Sequence, residues 1–303
     1  MIIAMYHYVR DLKKSKYPKI KGLELELFKK QIKYILKNHR VMAMEELIEA
    51  VEANKDLEDN ALLLTFDDGY KDHFEFVLPV LEKAGIKASF FPCVEPVIKK
   101  QVLQVNKIHF ILASADEKDI ISDIYNLLKK HSLSKDDFNY NKLAKRGRFD
   151  SKETMFIKRM LQKEIPAGCR QDIVDHLFEK HVASDQESFC QDLYMNKDEL
   201  GGLIEKDMYV GVHGSSHCHL DTLSLKEQEK EIDFSLELLK EIGSDAKKWA
   251  IAYPYGNWSQ SLLSLIKEKG CRVGLTTEPK AADLKIHNPF LLPRLDTNDL
   301  PYE

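Results

Sequence analysis

The sequence predicts an α/β fold in which helices cover a parallel sheet and a helical insertion interrupts the regular pattern. Short apolar runs alternate with amphipathic helical patterns near both ends of the chain. The middle, at about 97–190, is rich in Lys, Asp and Glu and shows helical patterns alone. We therefore expect a single domain over residues 1–303, with this insertion lying between two halves of a barrel.

The first third alternates strands and helices. Ala61–Phe66 is a continuous apolar run of the kind that a parallel sheet buries on both faces. Gly85 stands where a helix would end. The expected strands are Ile2–Tyr6, Ala61–Phe66 and Ala88–Pro92, and the expected helices are Leu25–Asn38 and Phe74–Lys83.

The last third repeats the alternation. Asn196 and Glu199 have the spacing of a capping box, which would restart the regular fold after the insertion. The expected strands are Met208–Val212, Trp249–Tyr253, Arg272–Leu275 and Phe290–Leu292, and the expected helices are Lys226–Ile242 and Gln260–Lys269.

Composition narrows the class of protein. The net charge of -4 argues against a nucleic-acid surface, and no apolar run approaches the roughly 18 residues of an integral membrane segment. The N-terminus has no basic region before its apolar stretch, which predicts a cytoplasmic protein without a signal peptide. The five cysteines are widely spaced, so we expect free thiols. The oligomeric state stays open.

Polar residues follow several of the expected strands. Because catalytic residues of parallel barrels lie at the carboxyl ends of the strands, these side chains should meet at one rim. The residues at these strand ends are His7 after the first strand, Asp67, Asp68 and Gly69 after the second, His213 and His217 further on, and then Pro254, Tyr255 and Arg294.

The adjacent carboxylates Asp67 and Asp68 indicate a cation. Two buried carboxylates repel each other, and a divalent ion bound to one of them offsets that cost while the other accepts a proton. Gly69 would allow a tight turn. Taken alone, the three residues are equally typical of a surface turn.

His213 and His217 are four residues apart, and they can chelate one ion if the segment coils into a helical turn. Two incidental histidines in a polar loop explain the spacing as well. Two imidazoles and one carboxylate form a familiar catalytic set, with Zn²⁺ as the default ion and Co²⁺, Mn²⁺ or Ni²⁺ as alternatives.

Several motifs, in this order, resemble the polysaccharide deacetylase family, which has the NodB-homology fold and is also called carbohydrate esterase family four. The motifs lie in about 1–96 and 194–296, and the middle is not matched. They are MYHYV at 5–9, TFDDG at 65–69, HGSSH at 213–217 followed by a small residue and His-Leu, AYPYG at 252–256, VGLTTEP at 273–279 and LPR at 292–294.

This resemblance implies a deformed (β/α)7 barrel forming one catalytic domain. It implies that Asp68, His213 and His217 bind the metal and that Asp67 is the general base. It places Pro254 and Tyr255 in the segment whose backbone N–H stabilises the oxyanion.

The implied reaction is metal-dependent removal of the acetyl group from an acetamido sugar, in a polysaccharide or in a nucleotide- or lipid-linked precursor. A cytoplasmic protein would favour the precursor. The alternatives are hydrolysis of another amide, such as a formyl or cyclic amide, and a non-catalytic carbohydrate-binding module on the same fold.

The chain departs from better-known members of the family at three places. The histidine of their C-terminal Leu-Leu-His segment is missing, so His7 is our candidate for the general acid. Their Arg before Pro-Tyr-Gly is missing too, and Arg294 is expected to pair with Asp67 and keep it ionised. Gly214 replaces a Ser or Thr, so Ser215 or Ser216 would brace the loop.

Weaker signals surround these motifs. Tyr255 and Trp258 either stack on a sugar ring or pack the loop. The basic cluster 142–148 is either a solvated loop or a contact for a substrate phosphate. Cys218 is a conceivable soft ligand, and His219 is expected to be a loop or supporting residue.

Overall fold

The computed structural model describes residues 1–302. Its strands are β1 (Ile2–Tyr6), β2 (Val9–Arg10), β3 (Leu23–Glu24), β4 (Arg40–Met42), β5 (Ala61–Asp68), β6 (Ser89–Pro92), β7 (Tyr209–Val210), β8 (Trp249–Ala252), β9 (Cys271–Leu275) and β10 (Leu295–Asp296).

Its α-helices are α1 (Leu25–Asn38), α2 (Met44–Glu52), α3 (Leu78–Ala84), α4 (Val94–Lys99), α5 (Gln104–Ser114), α6 (Glu117–Lys130), α7 (Tyr140–Leu143), α8 (Lys152–Arg159), α9 (Ala167–His181), α10 (Gln186–Leu193), α11 (Lys197–Glu205), α12 (Leu225–Glu241) and α13 (Gln260–Glu268). No helix within residues 1–302 is long and apolar enough to cross a membrane.

The chain divides into two compact units. The first comprises residues 1–11, 22–100 and 191–303, and the second comprises 12–21 and 101–190. The expected arrangement, one catalytic domain with an insertion at about 97–190, stays a prediction.

The first unit contains a parallel α/β sheet. β5 pairs with β1 and β6, β6 pairs with β7, and β1 also pairs with β10, all in parallel. β8 and β9 form a separate parallel pair. Single parallel bridges link Val212 to Ile251 of β8 and Leu275 of β9 to Leu292. The expected α/β fold is confirmed, although its barrel is not closed by continuous strand pairing.

Alternate residues of the central strands enter two hydrophobic clusters, one on each face of the sheet. Leu62 and Leu64 of β5 pack with Phe28 of α1. Ala61 and Leu63 pack with the cluster on the opposite face. Since both faces of β5 are covered, the residues at its carboxyl end are also withdrawn from water.

Most expected elements are present, with ends that shift by no more than two residues. The exception is the expected helix Phe74–Lys83, which is divided between a π-helical segment, His73–Val77, and α3. The capping box of Asn196 and Glu199 is present, and Gly85 ends α3 in the left-handed conformation with φ 65°. The expected strand Phe290–Leu292 is wrong, because the final strand is β10 and Leu292 makes one isolated bridge. The flanking Pro289 and Pro293 lack the N–H groups that a longer ladder requires.

The second unit is helical, as the pattern predicts. Its helices α6 and α9 each bury an apolar stripe. In α6 the buried residues are Ile120, Ile124, Leu127 and Leu128, and in α9 they are Ile173, Val174, Leu177 and Phe178.

Candidate active site

Asp67 and Asp68 are the last two residues of β5, and their exposed fractions are 1% and 3%. Asp68 has a left-handed backbone with φ 71°, which turns the chain sharply at the strand end. Gly69 follows with φ 75°, and an added Cβ would lie 2.7 Å from Cβ of Pro92. A surface turn is therefore the wrong interpretation of these residues, because the pair is buried.

Three potential ligand atoms face one another beside this turn. Oδ1 of Asp68 lies 3.3 Å from Nε2 of His213 and 3.4 Å from Nε2 of His217. Within residues 1–302, Oδ1 of Asp68 and Nε2 of His213 are buried without a hydrogen-bond partner. Burying polar atoms without a hydrogen-bond partner destabilises a folded protein. Ligands about 2.0–2.2 Å from a tetrahedral ion lie about 3.3 Å apart, so the three residues fit a divalent metal.

Neighbouring groups orient two of these side chains. Nδ1 of His213 lies 2.6 Å from the carbonyl oxygen of Ala252, so the proton belongs on Nδ1 and the lone pair of Nε2 is available. The hydroxyl of Tyr70 donates to Oδ2 of Asp68, which leaves Oδ1 facing the imidazoles. Both contacts prepare the side chains to hold a cation.

The protonation states also favour a cation. Burial would raise the pKa of Asp68, but His217 and His213 outweigh it and hold this pKa well below its usual value. Burial lowers the pKa of His217 to about 4, so His217 is neutral at pH 7. Burial opposes protonation of His213 too, yet the adjacent Asp68 and Asp67 raise its pKa, so a proton and a metal ion would compete for Nε2.

The loop from His213 to His217 does not form the expected helical turn. Gly214 and His217 have positive φ angles of 73° and 54°, and the segment bends back on itself. Ser215 and Ser216 are held by the Glu231 carboxylate of α12. Both serines therefore brace the loop, through their backbone N–H groups and through the hydroxyl of Ser216.

A second combination of ligands is possible near the same point. The ligand atoms of Asp68, Cys93 and His213 lie within 4.8 Å of one another. Burial, however, raises the pKa of Cys93 well above its usual value, and its thiol donates to the carbonyl of His213 at 3.3 Å. Because this thiol is engaged by a carbonyl while Nε2 of His217 faces Oδ1 of Asp68 at 3.4 Å, the geometry favours His217 as the third ligand.

Asp67 is bound by a buried guanidinium. Nη1 and Nη2 of Arg294 donate to its two carboxylate oxygens at 2.8 and 2.7 Å, and Nε donates to the carbonyl of Thr276 at 2.9 Å. Burial alone would raise the pKa of Asp67, but Arg294 outweighs it and the pKa is lowered. Asp67 is therefore ionised at neutral pH.

His7 lies at the same rim, directly after β1. Its Nε2 is 4.0 Å from Oδ2 of Asp67, and its side chain is 39% exposed. Its carbonyl oxygen contacts Nε2 of the buried His73 at 2.8 Å. Burial lowers the pKa of His73 to about 4, so His73 is neutral and donates this hydrogen bond. The contact fixes the backbone that carries His7.

Tyr255 also has a left-handed backbone, with φ 58° and ψ 5°. Its ring meets His217 edge to face at 4.7 Å and stacks on His219 at 4.0 Å. Asp68, His217 and Tyr255 thus share an unusual conformation that non-glycine residues adopt at a cost of about 1–3 kcal/mol each. Such strain clusters at functional sites.

The remaining predicted residues lie in varied surroundings. Pro254 is buried next to Tyr255, whereas Trp258 is 43% exposed. Burial raises the pKa of Cys218 to about 11, so it is a thiol at neutral pH in the metal-free protein. The basic cluster 142–148 belongs to the second unit, where Arg148 lies over the ring of Phe149.

Tyr70, His73 and Glu231 were missed by the sequence analysis. Tyr70 directly follows TFDDG, so its position in the chain could have suggested a contact with Asp68. His73 and Glu231 lie on helical segments whose spacing gave no such signal.

Comparison with known proteins places this geometry in a family. A family model described as polysaccharide deacetylase matches residues 54–274, more than half of the chain. The chain belongs to the polysaccharide deacetylase family. The Bacillus subtilis (strain 168) protein YxkH, named for the same family, is 30% identical over 90 residues, which span 29% of this chain and 30% of YxkH.

Two solved structures share the fold of this chain. The Streptococcus pyogenes deacetylase PplD, in complex with acetate, is 16% identical with a TM-score of 0.60, over 99% of this chain and 92% of that one. IcaB from Ammonifex degensii is 16% identical with a TM-score of 0.56, over 98% and 92% of the two chains. At these identities the similarity shows the shared polysaccharide deacetylase fold.

Replacing Arg294 by Leu should destabilise this polysaccharide deacetylase strongly, because it leaves Asp67 buried and unpaired. We expect the free energy of unfolding in urea, measured with chelator present, to fall by about 3–5 kcal/mol. Lys248→Ala, which breaks an exposed ion pair with Glu52, should cost less than about 1 kcal/mol. A loss no larger for Arg294→Leu than for this control would contradict the buried pair.

Proposed function

We propose that the protein is a metal-dependent deacetylase that hydrolyses the N-acetyl group of an acetamido sugar, in a polysaccharide or in its nucleotide- or lipid-linked precursor. The observation that carries this proposal is the convergence of Asp68, His213 and His217 beside an ionised Asp67. The family supports the reaction class.

Asp68, His213 and His217 would hold the ion. When bound, a divalent metal supplies positive charge that polarises an acyl carbonyl and acidifies water. Two imidazoles and one carboxylate favour Zn²⁺, and Co²⁺, Mn²⁺ and Ni²⁺ also suit this set.

Asp67 is the proposed general base. Its carboxylate is ionised, and each oxygen keeps a lone pair beyond those that accept from Arg294. It can therefore take a proton from a water molecule that attacks the acetyl carbon. Arg294 lowers the basicity of this carboxylate but keeps it charged as the pH falls, which makes Arg294 a positioning and charge-stabilising residue.

His7 is the proposed general acid. The departing amine must be protonated or the tetrahedral intermediate collapses backwards. With its Nε2 near Asp67 and its ring partly exposed, His7 can exchange protons with solvent and reach a substrate at the rim. Position supports this role, because His7 directly follows β1, which pairs with the strand that carries Asp67.

Tyr255 and its neighbours would contact the substrate. The left-handed turn at Tyr255 aims this segment toward His217, and its backbone N–H is the proposed oxyanion donor. Pro254 shapes the same turn, and the exposed indole of Trp258 offers a face on which a sugar ring can stack. The acetate bound by PplD, a relative in fold, supports an acetyl substrate.

Purified protein loaded with Zn²⁺ should release acetate from N-acetylated oligosaccharides or from a nucleotide-linked acetamido sugar, and chelator should stop the release. Asp67→Asn should lower turnover by about 10²–10⁴-fold, because it removes the base, while bound zinc measured by elemental analysis is retained. Formate release from a formamido sugar at a higher rate would favour a deformylase. If the protein binds no zinc and releases no product in a zinc-dependent reaction, the enzyme proposal is wrong and a non-catalytic binding module remains.

His7→Ala should lower kcat by about 10²-fold, because the departing amine then lacks its proton donor. His176→Ala provides a matched control, because His176 is half exposed on the second unit. Zinc content should be unchanged in both variants. A native kcat and pH profile for His7→Ala would show that another group donates the proton.

A further inference from the structure

The loop between His213 and His217 carries two of the three proposed metal ligands, yet it has no regular secondary structure. Its backbone N–H groups therefore need partners from elsewhere. Ser215 is 3% exposed, so water cannot readily replace a lost partner there. Whatever satisfies these groups also determines where the two imidazoles lie.

One carboxylate accepts two of these N–H groups and one hydroxyl of the loop. Oε2 of Glu231 accepts the backbone N–H groups of Ser215 at 2.7 Å and Ser216 at 3.0 Å. Oε1 accepts the hydroxyl of Ser216 at 2.9 Å. Three donors thus converge on one side chain of α12, and a carboxylate is the side chain that accepts from all three without offering a donor of its own.

The surrounding contacts complete the clamp. The carbonyl of Ser215 accepts the backbone N–H of Glu95 at 3.0 Å on the other side of the loop. Gln228, one turn before Glu231 on α12, donates to the carbonyl of Leu220 at 2.9 Å. Helix α12 therefore binds the chain at two places, between His213 and His217 through Glu231 and just after His217 through Gln228.

Gly214 also fits this arrangement. Its φ of 73° favours glycine, and an added Cβ would lie 3.3 Å from Oε2 of Glu231. A side chain at position 214 would press against the carboxylate. Glycine at position 214 thus leaves space for Glu231 to reach the loop backbone.

We propose that Glu231 is a positioning residue that sets the separation of His213 and His217 and thereby the affinity for the metal. This inference rests on the proposed function, since it takes those histidines as ligands. Glu231 lies on α12 and acts through the loop backbone. Supporting groups of this kind change metal affinity by about 10–100-fold when they are removed.

The test compares Glu231→Ala and Glu231→Gln with the wild type. Zinc dissociation constants are measured by competition with a chromophoric chelator, at a temperature where circular dichroism shows each metal-free protein to be folded. Glu231→Ala should weaken zinc binding by about 10–100-fold. Glu231→Gln should also weaken zinc binding, because the amide turns a donor toward the loop. The effect should be smaller than that of Glu231→Ala, because the amide keeps one acceptor oxygen.

Glu237→Ala is the matched control, because Glu237 lies exposed on the same helix. It should bind zinc like the wild type. Unchanged zinc affinity in both Glu231 variants, with zinc bound by the wild type, would overturn this inference and leave the proposed function standing. Absence of zinc binding by the wild type would overturn both, and the two failures are therefore distinguishable.

Discussion

Two ionised carboxylates buried side by side at the end of β5 are the constraint on which the site depends. Charges of the same sign at such close range, withdrawn from water, are tolerated only where positive charge or strong donors compensate them. Arg294 compensates Asp67 with two hydrogen bonds. Asp68 faces two imidazoles, and one of its oxygens has no hydrogen-bond partner. The negative charge of Asp68 is therefore only partly balanced by groups of the protein itself.

That asymmetry gives the neighbouring aspartates different chemistry. Asp67 has a permanent partner and stays charged, which suits a proton acceptor. Asp68 has an oxygen and two imidazoles arranged around a common point, which suits a cation. The supporting contacts follow the same division, since Tyr70 and the carbonyl of Ala252 orient ligand atoms while Thr276 holds Arg294.

The central strands and the residues at their ends could be predicted from the sequence, because apolar runs and the order of motifs are local signals. Ile2–Tyr6 and the buried aspartates are examples. The conformation of the loop after β7 could not be predicted from the sequence, because it depends on positive φ angles and on Glu231, a distant residue on a helix. The false strand at Phe290–Leu292 has a different origin, because the sequence does show the flanking Pro289 and Pro293, which interrupt pairing although the run between them is apolar.

The coordination of the ion tests the central claim most directly. X-ray absorption spectroscopy of the zinc-loaded protein distinguishes nitrogen and oxygen ligands at about 2.0–2.2 Å from sulfur at about 2.3 Å. Coordination through Asp68, His213 and His217 predicts imidazole scattering from two histidines and no sulfur. A sulfur ligand would show that Cys93 or Cys218 takes part, and it would contradict the assignment of the site.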